Sequence, residues 1–340
     1  MSTQYPRQFS RRRFLGRLTL GGTAGFLGLH ARRVAAEPPP ETTTLRLYDW
    51  PAICFSPQYV AKALLQGEGF TDVRYIKLPK WADVKKALAA SEIDFAILSA
   101  GQCALQLDAG DPVTVLAGLH GGCYELFATD RVRTIRDLKG KTVSIASKDS
   151  GRYVFFVSML AYVGLDPHTD VTLLELPPPE SMQLLADGKI DAFMAFPPDP
   201  QELRAKRIGH VVVDTRTDRP WSQYFCCMLM GRREFVRQSP VATKRWLRAV
   251  LKAVNICALE PERAAQLVVD KDSTQQYDYA LQAIKEIPYA KWREYDPEDS
   301  VRFFALRLHE VGMIKNSPQR FITQGTDWRF LNELKKELKE

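Results

Sequence analysis

The amino-acid sequence predicts an α/β protein built from two similar lobes, followed by additional helices. Strand-like and helix-like segments alternate from about residue 44 to residue 215, which is typical of α/β folds with mostly parallel sheets. A phrase is nearly repeated in the two halves of this region, as IDFAILSAG at 93–101 and IDAFMAFPP at 190–198. The residues after about 240 are predominantly helix-like, so helices are expected to be added to the lobes at the C-terminus.

Length and charge limit the possible classes of protein. A chain of 340 residues exceeds one ordinary core and suits two domains. The net charge is +7, but residues 1–36 contain seven arginines and no lysine, aspartate or glutamate. Without those arginines, 40 basic and 40 acidic residues remain. The basic character therefore belongs to the N-terminal segment, and a nucleic-acid partner is not expected.

Residues 1–36 have the order of a removable secretory signal. A basic region is followed by an apolar run from about Leu18 to Leu29 and by small residues that end near Ala36. The run is too short to span a bilayer, and SRRRFL at 10–15 resembles the consensus read by the twin-arginine export machinery. An exported protein that is soluble in the periplasm after cleavage near Ala36 is predicted. An arginine-rich anchor or organelle presequence remains the alternative.

The first lobe is predicted from residues 37–122. A strand in TTLRLYDW precedes a helix at Ser56–Leu65, where Ser and Pro form a start signal. The segment then continues with strand DVRYIKL, helix 81–90, strand DFAILSA, helix GQCALQLDAG and strand VTVLAGLHGG.

The second lobe is predicted from residues 123–222, where the alternating pattern restarts. LPKWADVKKALAASEIDFAI aligns with LPPPESMQLLADGKIDAFMA with a one-residue difference in spacing, although any two α/β units share some likeness. Residues 223–340 return to the first lobe through a strand in YFCCMLM and then add helices. The predicted elements of the second lobe and the C-terminal region are strand KTVSIAS, helix 150–163, strand DVTLLEL, helix 180–186, strand DAFMAF, helix 200–207, strand HVVVDT and helices 241–259, 261–269, 297–311 and 326–338.

Ligands in open α/β sheets bind beyond the carboxyl ends of the strands, often at helix N-termini that attract anions. Both lobes place small or aromatic residues at such ends, at 55–57 and 99–101 in the first lobe and at 147–152 and 196–198 in the second, although each loop taken alone is equally an ordinary helix cap. Nearby aromatic residues are either cavity walls or core, and Arg152 either meets an anion or is a solvated surface arginine. The predicted ligand-binding residues are Trp50, Phe55, Ser56, Ser99, Ala100, Gly101, His120, Ser150, Gly151, Arg152, Phe196, Pro197 and Tyr224.

Catalysis, metal binding and cofactors are not predicted. The chain lacks GxSxG, HExxH, GxxxxGK[ST] and GxGxxG motifs, and the adjacent pair His120 and Cys123 is its one candidate for a nucleophile. No two cysteines form a CxxC pair, so a zinc or redox motif is not expected and most of the cysteines are interpreted as small buried residues. The six cysteines are Cys54, Cys103, Cys123, Cys226, Cys227 and Cys257.

Several phrases together resemble a known family. SPQYVAKAL, IDFAILSAG, TIRDLKGKTVSIAS, LADGKIDAFMAFPP and EFVRQSPVATKRWLRAVLKA are similar to periplasmic solute-binding proteins of ABC importers. The resemblance is to the nitrate/sulfonate/taurine group, which includes the NMT1-like pyrimidine binders and synthases of thiamine metabolism. It covers about residues 44–269.

The resemblance implies a two-lobed periplasmic-binding-protein clamshell, type II-like, with two Rossmann-like lobes joined by two crossing strands. Such a protein binds a small anionic or zwitterionic solute between its lobes and docks as a monomer on an ABC permease at the inner membrane. A synthase-like enzyme that uses Cys226 and Cys227 is one alternative, although the longer cysteine run of the synthases is reduced here to these two. A periplasmic ligand sensor is the other.

Overall fold

Two five-stranded sheets form the framework of the protein. The computed structural model describes residues 37–339 apart from Pro51, Pro79 and 273–275, so the predicted signal at 1–36 lies outside the described residues. The strands are β1 (Thr44–Asp49), β2 (Asp72–Lys77), β3 (Phe95–Ser99), β4 (Val113–His120), β5 (Glu125–Ala128), β6 (Thr142–Ile145), β7 (Thr172–Glu175), β8 (Ala192–Ala195), β9 (His210–Asp214) and β10 (Cys227–Arg232).

Helices connect these strands and extend the chain at its C-terminal end. None of the helices within the described residues is long and apolar enough to cross a membrane. The helices are α1 (Ser56–Gly67), α2 (Trp81–Ala89), α3 (Ala100–Asp108), α4 (Gly151–Tyr162), α5 (Pro178–Ala186), α6 (Asp199–Lys206), α7 (Arg233–Gln238), α8 (Pro240–Leu259), α9 (Pro261–Lys271), α10 (Tyr277–Glu286), α11 (Pro297–Glu310), α12 (Pro318–Gly325) and α13 (Arg329–Glu337).

The two sheets share one topology. The first sheet has the order β2-β1-β3-β10-β4 and the second has the order β7-β6-β8-β5-β9. In each sheet the fourth strand is the one that follows a crossing. Strand β10 comes after the second lobe in the chain but pairs in the first sheet, and β5 comes directly after β4 of the first sheet but pairs in the second. The prediction of two similar lobes joined by two crossings is confirmed, with the crossings at residues 121–124 and 215–226.

Both sheets are mixed, and the prediction of mostly parallel sheets holds for strand direction except at one strand of each sheet. Strand β10 runs antiparallel to both β3 and β4, and β5 runs antiparallel to both β8 and β9. Among the strands that the structure describes, the parallel pairs are those made by β1 and β6. The reason is topological: a strand that enters a sheet directly from a crossing needs no helical connection, so it can run opposite to its neighbours.

The added helices cover the first lobe. The residues that recur at three- and four-residue steps along α8 are buried, as predicted for a helix that packs one face on a core. On this face Trp246 stacks on Phe95 of β3 with 3.8 Å between ring centroids. Helix α11 contacts both α3 and α4, so the C-terminal region also reaches the second lobe.

In both lobes the repeated phrase comes after a helix that is followed by a residue with a left-handed backbone. Ser91 after α2 and Gly188 after α5 occupy equivalent positions and both have left-handed backbones, with φ of 61° and 66°. The next N–H group bonds back to the helix in both cases, from Glu92 to Ala87 and from Lys189 to Leu184. Each lobe therefore ends this helix with the same left-handed cap before its buried strand begins.

We expect Ser91→Gly to raise the free energy of unfolding by about 0.5–1 kcal/mol. Left-handed backbone is unfavourable for L-residues, and glycine removes this cost while adding some entropy to the unfolded chain. The matched change Gly188→Ser should lower stability, because a Cβ there would meet only the Arg131 Nη1 atom at 3.8 Å and the backbone alone is affected. Urea unfolding measures both variants, and changes of the same sign would contradict the explanation.

Candidate functional site

A cavity of about 790 Å³ lies between the two lobes. The first lobe contributes Ser99 and Gln102, and the second contributes Ser147, Ser150 and Gly151. This volume is within the range of ordinary small-molecule sites. The lining residues are Tyr48, Asp49, Trp50, Phe55, Lys77, Leu78, Lys80, Ile97, Leu98, Ser99, Gln102, Tyr124, Ser147, Asp149, Ser150, Gly151, Phe196, Cys227, Lys271 and Asp272.

Two helix N-termini converge on this cavity. Ser99 caps α3 by accepting a hydrogen bond from the Gln102 N–H at 3.3 Å, and Ser150 caps α4 by accepting one from the Tyr153 N–H at 3.3 Å. A Cβ on Gly151 would lie 3.0 Å from the Gln102 Oε1 atom, so glycine permits a close approach between the lobes. The first N–H groups of a helix lack partners within the helix and carry partial positive charge. The N-terminus of α4, where Gly151 lines the cavity, is therefore suited to a negatively charged group, whereas the Ala100 N–H at the start of α3 is already used by the Cys226 carbonyl.

Aromatic side chains form the walls of the cavity. The ring of Trp50 from the first lobe stacks on Phe196 from the second with 6.0 Å between centroids and 3° between planes. Phe55 meets Trp50 edge-on at 5.8 Å, and Tyr124 lies 5.2 Å from Phe196. Burial raises the pKa of Tyr124, so its phenol remains a neutral hydrogen-bond donor. The cavity thus combines flat apolar walls with polar groups.

Charged side chains surround the cavity rim. Lys271 forms an ion pair with Asp49 at 2.9 Å and lies over the ring of Tyr75 at 4.9 Å. Among the described residues, the exposed Lys77 and Lys80 have no carboxylate within ion-pairing distance. These two lysines add cationic character to the rim. Asp149, which also lines the cavity, supplies an anionic group for a ligand that carries both charges.

Several predicted site residues lie outside the cavity lining because their groups have internal partners. The Ser56 hydroxyl is buried and donates to the Ile53 carbonyl at 2.5 Å. Ser56 is the first residue of α1 and, contrary to the prediction, is not its N-cap. The Ala100 N–H donates to the Cys226 carbonyl at 2.9 Å, across to the second crossing. Gly101 faces α4, where an added Cβ would lie 2.6 Å from the Val154 Cγ1 atom.

Arg152 does not line the cavity either. Its guanidinium pairs with Asp199 at 2.5 Å and is largely buried, so its charge is neutralised within the second lobe. The same guanidinium lies 5.3 Å from the centre of the Phe196 ring, and Asp199 accepts a hydrogen bond from the Phe196 N–H at 3.3 Å. Burial raises the pKa of Asp199 and outweighs the opposing effect of Arg152. The pair therefore supports the aromatic wall instead of contacting a ligand in the cavity.

The three remaining predicted residues are also absent from the lining. Tyr224 stacks on Phe303 at 4.1 Å, and Pro197 begins the turn into α6 with a cis bond to Pro198. His120 is fully buried at the end of β4 and does not reach the cleft. Within the predicted set, the structure brings together at the cavity Trp50, Phe55, Ser99, Ser150, Gly151 and Phe196.

Sequence reasoning missed other lining residues. Gln102 was hidden within a predicted helix, and Tyr124 lies in a crossing that had no predicted structure. Lys271 comes from the end of α9, more than 200 residues after its partner Asp49. Ser147 and Asp149 belong to the loop at 147–152 before α4, which the sequence predicted as a place for a ligand, although neither residue was among those predicted individually. No local pattern marks Lys271 as a neighbour of β1.

The candidate nucleophile does not have the environment that such a group needs. Cys123 is buried, and burial raises the pKa of its thiol, which opposes formation of a reactive thiolate. All six cysteines are buried and unpaired, in agreement with their interpretation as small interior residues. Three of them nevertheless group with His120 in a set that has the composition of a metal site: Cys54, Cys123 and Cys227.

The two lobes and the cavity between them have the type II periplasmic-binding-protein fold. The crystal structure of the periplasmic nitrate-binding protein NrtA from Synechocystis is similar, with a TM-score of 0.73, 17% identity and coverage of 89% of this chain and 90% of that chain. The aliphatic sulphonate-binding protein SsuA from Escherichia coli has a TM-score of 0.66 at 17% identity, covering 82% and 91%.

The NMT1-like family model matches residues 38–269, and the chain belongs to this family. The nitrate import ATP-binding protein NrtC from Synechocystis is 27% identical over 236 residues, or 64% of this chain. The nitrate/nitrite binding protein NrtA from Synechococcus elongatus is 25% identical over 95% of this chain and 84% of its own length. The chain spans only 34% of the length of NrtC and 56% of that of NrtA from Nostoc, another curated relative.

Proposed function

We propose that this protein is the solute-binding component of an ABC importer and captures a small anionic or zwitterionic solute between its lobes. The observation that carries this proposal is the cavity between the lobes, into which the N-termini of α3 and α4 converge. Family membership and the binding functions of NrtA and SsuA support the same class of ligand. Catalysis is not part of the proposal.

The cavity favours an organic anion over nitrate. One water molecule occupies about 30 Å³ in the liquid, and nitrate has only four heavy atoms, whereas the cavity measures about 790 Å³. The stacked Trp50 and Phe196 rings offer a flat apolar surface that a bare inorganic ion does not use. A sulfonate or carboxylate group at the helix ends, attached to an apolar or planar body along the rings, satisfies both features.

Ligand capture proceeds by closure of the lobes. The groups that meet a solute come from both lobes, so a bound solute stabilises the closed arrangement over an open one. The two crossings at 121–124 and 215–226 are the connections about which the lobes move. The closed form then docks, as a monomer, on a membrane permease. In this proposal the first lobe ends at residue 122, and the chain returns to it after residue 222.

Export to the periplasm completes the proposed function. The segment at 1–36 directs the chain to the twin-arginine machinery and is removed near Ala36. Two solved structures of the same fold are described as periplasmic binding proteins, which supports this location. Fractionation of cells that express the full chain tests it, since a change of Arg11 and Arg12 to Lys should retain the protein in the cytoplasm.

A thermal-shift screen tests the ligand class. Protein made from the full-length gene is freed of carried-over ligand and mixed with alkyl and aryl sulfonates, small carboxylates, nitrate and aminopyrimidines. A ligand at a hundred times its dissociation constant stabilises the folded state by about 2.7 kcal/mol. Stabilisation by organic anions above that by nitrate is expected. The absence of a shift with every compound would contradict the proposal.

We expect Trp50→Ala to weaken binding of the best ligand about three- to tenfold, because one face of the aromatic wall is lost. Trp50 is 43% exposed, so its loss should leave folding stability nearly unchanged. Tyr162→Ala is the matched control, since this aromatic residue is 45% exposed but packs on Trp221 outside the cavity lining. Isothermal titration measures both affinities, and equal losses would remove Trp50 from the binding site.

A further inference from the structure

Three cysteines and a histidine from distant parts of the chain meet in the interior of the protein. Cys54 follows β1, His120 ends β4, Cys123 lies in the first crossing and Cys227 begins β10. All four side chains are buried, and one potential ligand atom from each lies within 4.8 Å of the others. No sequence motif joins them, because their spacings are set by the fold and not by a local turn.

The composition and dimensions of this cluster suit a tetrahedral metal ion. Zinc binds cysteine sulfur at about 2.3 Å and histidine nitrogen at about 2.0–2.1 Å, which places neighbouring sulfur atoms of a tetrahedron about 3.8 Å apart. Three cysteines and one histidine are among the ordinary ligand sets of closed structural zinc sites. The potential ligand atoms of the cluster already lie within 4.8 Å of one another. Small rotations of the buried side chains would bring them to the separation that a zinc ion requires.

The hydrogen bonding of His120 is a second and independent observation. Its Nδ1 atom lies 2.5 Å from the Gly121 carbonyl oxygen, which can only accept, so Nδ1 carries the proton. The proton-free nitrogen is then Nε2, which is buried and has no hydrogen-bond partner among the described residues. A buried polar atom without a partner is unfavourable, and a bound metal ion would supply the missing partner. Histidines that bind metals usually donate their other N–H to a backbone carbonyl in this way.

We propose that Cys54, His120, Cys123 and Cys227 bind one zinc ion. The ion would link the first crossing and the start of β10 to the first lobe. The first crossing leaves the first sheet after β4, and the second crossing enters it at β10. Cys227 also lines the ligand cavity, so the ion would lie directly behind the cavity wall. A disulfide is the competing use of these thiols, since the Cys123 and Cys226 sulfur atoms are 3.3 Å apart. Zinc loaded in the reducing cytoplasm before export in the folded state would protect the ligand thiols.

Multielement metal analysis of protein made from the full-length gene, purified without chelator, tests the proposal. About one zinc per chain is expected after extensive dialysis. Replacement of zinc by cobalt should produce the thiolate charge-transfer and d–d absorption of a tetrahedral site with cysteine ligands. This spectrum is measured on the unchanged sequence, so the test does not depend on whether variants fold.

Matched serine variants test the ligand set. Cys54→Ser and Cys227→Ser should bind zinc at least a hundredfold more weakly in competition with a chromogenic chelator. Cys226→Ser and Cys257→Ser should retain it, since both residues are buried cysteines outside the ligand set. The zinc assignment would be overturned by stoichiometric binding of another metal, by zinc below about a tenth of an equivalent with all thiols reduced, or by equal losses in Cys226→Ser and Cys227→Ser.

Discussion

Asp94→Ala should lower the free energy of unfolding by about 3 kcal/mol, the loss expected when one partner of a buried ion pair is removed. The Asp94 carboxylate is 1% exposed and accepts hydrogen bonds from the Arg46 backbone N–H at 2.9 Å and from its guanidinium at 2.6 Å. Arg232 from β10 lies 3.7 Å away. This carboxylate joins β1, β3 and β10, so its removal leaves two guanidinium groups without their shared partner.

Asp191→Ala is the matched control, because Asp191 occupies the equivalent position in the second lobe. It accepts from the Thr142 N–H at 2.8 Å and pairs with Arg131, but the two side chains are 14% and 48% exposed. The expected loss is about 1 kcal/mol, since solvent screens this pair. Urea unfolding followed by tryptophan fluorescence measures both variants. Equal losses in the free energy of unfolding would contradict the expectation that the more buried Asp94 contributes more to stability than Asp191.

The Asp191 contribution should also depend on pH. Burial alone would raise the pKa of Asp191, but the Thr142 N–H and the Arg131 guanidinium outweigh it and lower the pKa below its ordinary value. A group whose folded-state pKa is lowered stabilises the protein above its unfolded pKa, and this contribution is lost as the pH falls through the folded pKa. The stability difference between wild type and Asp191→Ala should therefore shrink in acid.

Gly151→Val should weaken ligand binding at least tenfold, which corresponds to about 1.4 kcal/mol. A Cβ at this position would lie 2.9 Å from the Tyr124 hydroxyl, 3.0 Å from Gln102 Oε1 and 3.2 Å from Ser99 Oγ. Valine would therefore place methyl groups between the N-termini of α3 and α4, where the solute and the two lobes meet. The closed form loses stability while each lobe keeps its own core, so binding should fall more than folding stability.

Gly67→Ala is the control for this change. Gly67 is also a helical glycine, at the end of α1, and a Cβ there meets no atom within 4 Å. This variant should retain the affinity of the parent protein. Isothermal titration with the ligand found in the screen measures both proteins, and small-angle scattering measures closure. Unchanged affinity in Gly151→Val would place the solute away from α4.

The twofold architecture was accessible from the sequence because its signals are local. The ID phrase marks the start of β3 and of β8, where Asp94 and Asp191 each hold the neighbouring strand through a backbone N–H. The return strand in YFCCMLM was also recognisable as β10 from its apolar run. In contrast, β5, which covers the four residues ELFA, was not predicted, because it follows β4 directly and lacks the preceding helix that marks β7 and β8 as strands of an alternating pattern.

The candidate site was only partly predictable, since side-chain pairing depends on residues far apart in the chain. Ser150 and Phe196 follow the ends of β6 and β8, so a general rule for α/β sheets places them at the cavity. The same rule placed Arg152 there, but its pairing with Asp199 turns the guanidinium to a supporting role. No rule of local spacing predicts a partner 47 residues away.

Periodicity, helix caps and the internal repeat define the α/β lobes and the ends at which a ligand binds, because these features depend on residues within a few positions of one another. The strand directions at the crossings, the closeness of Gly151 to Gln102 and the meeting of Cys54, His120, Cys123 and Cys227 arise only when the two halves fold together. Contacts between segments separated by up to two hundred residues follow from packing, which a one-dimensional pattern does not specify.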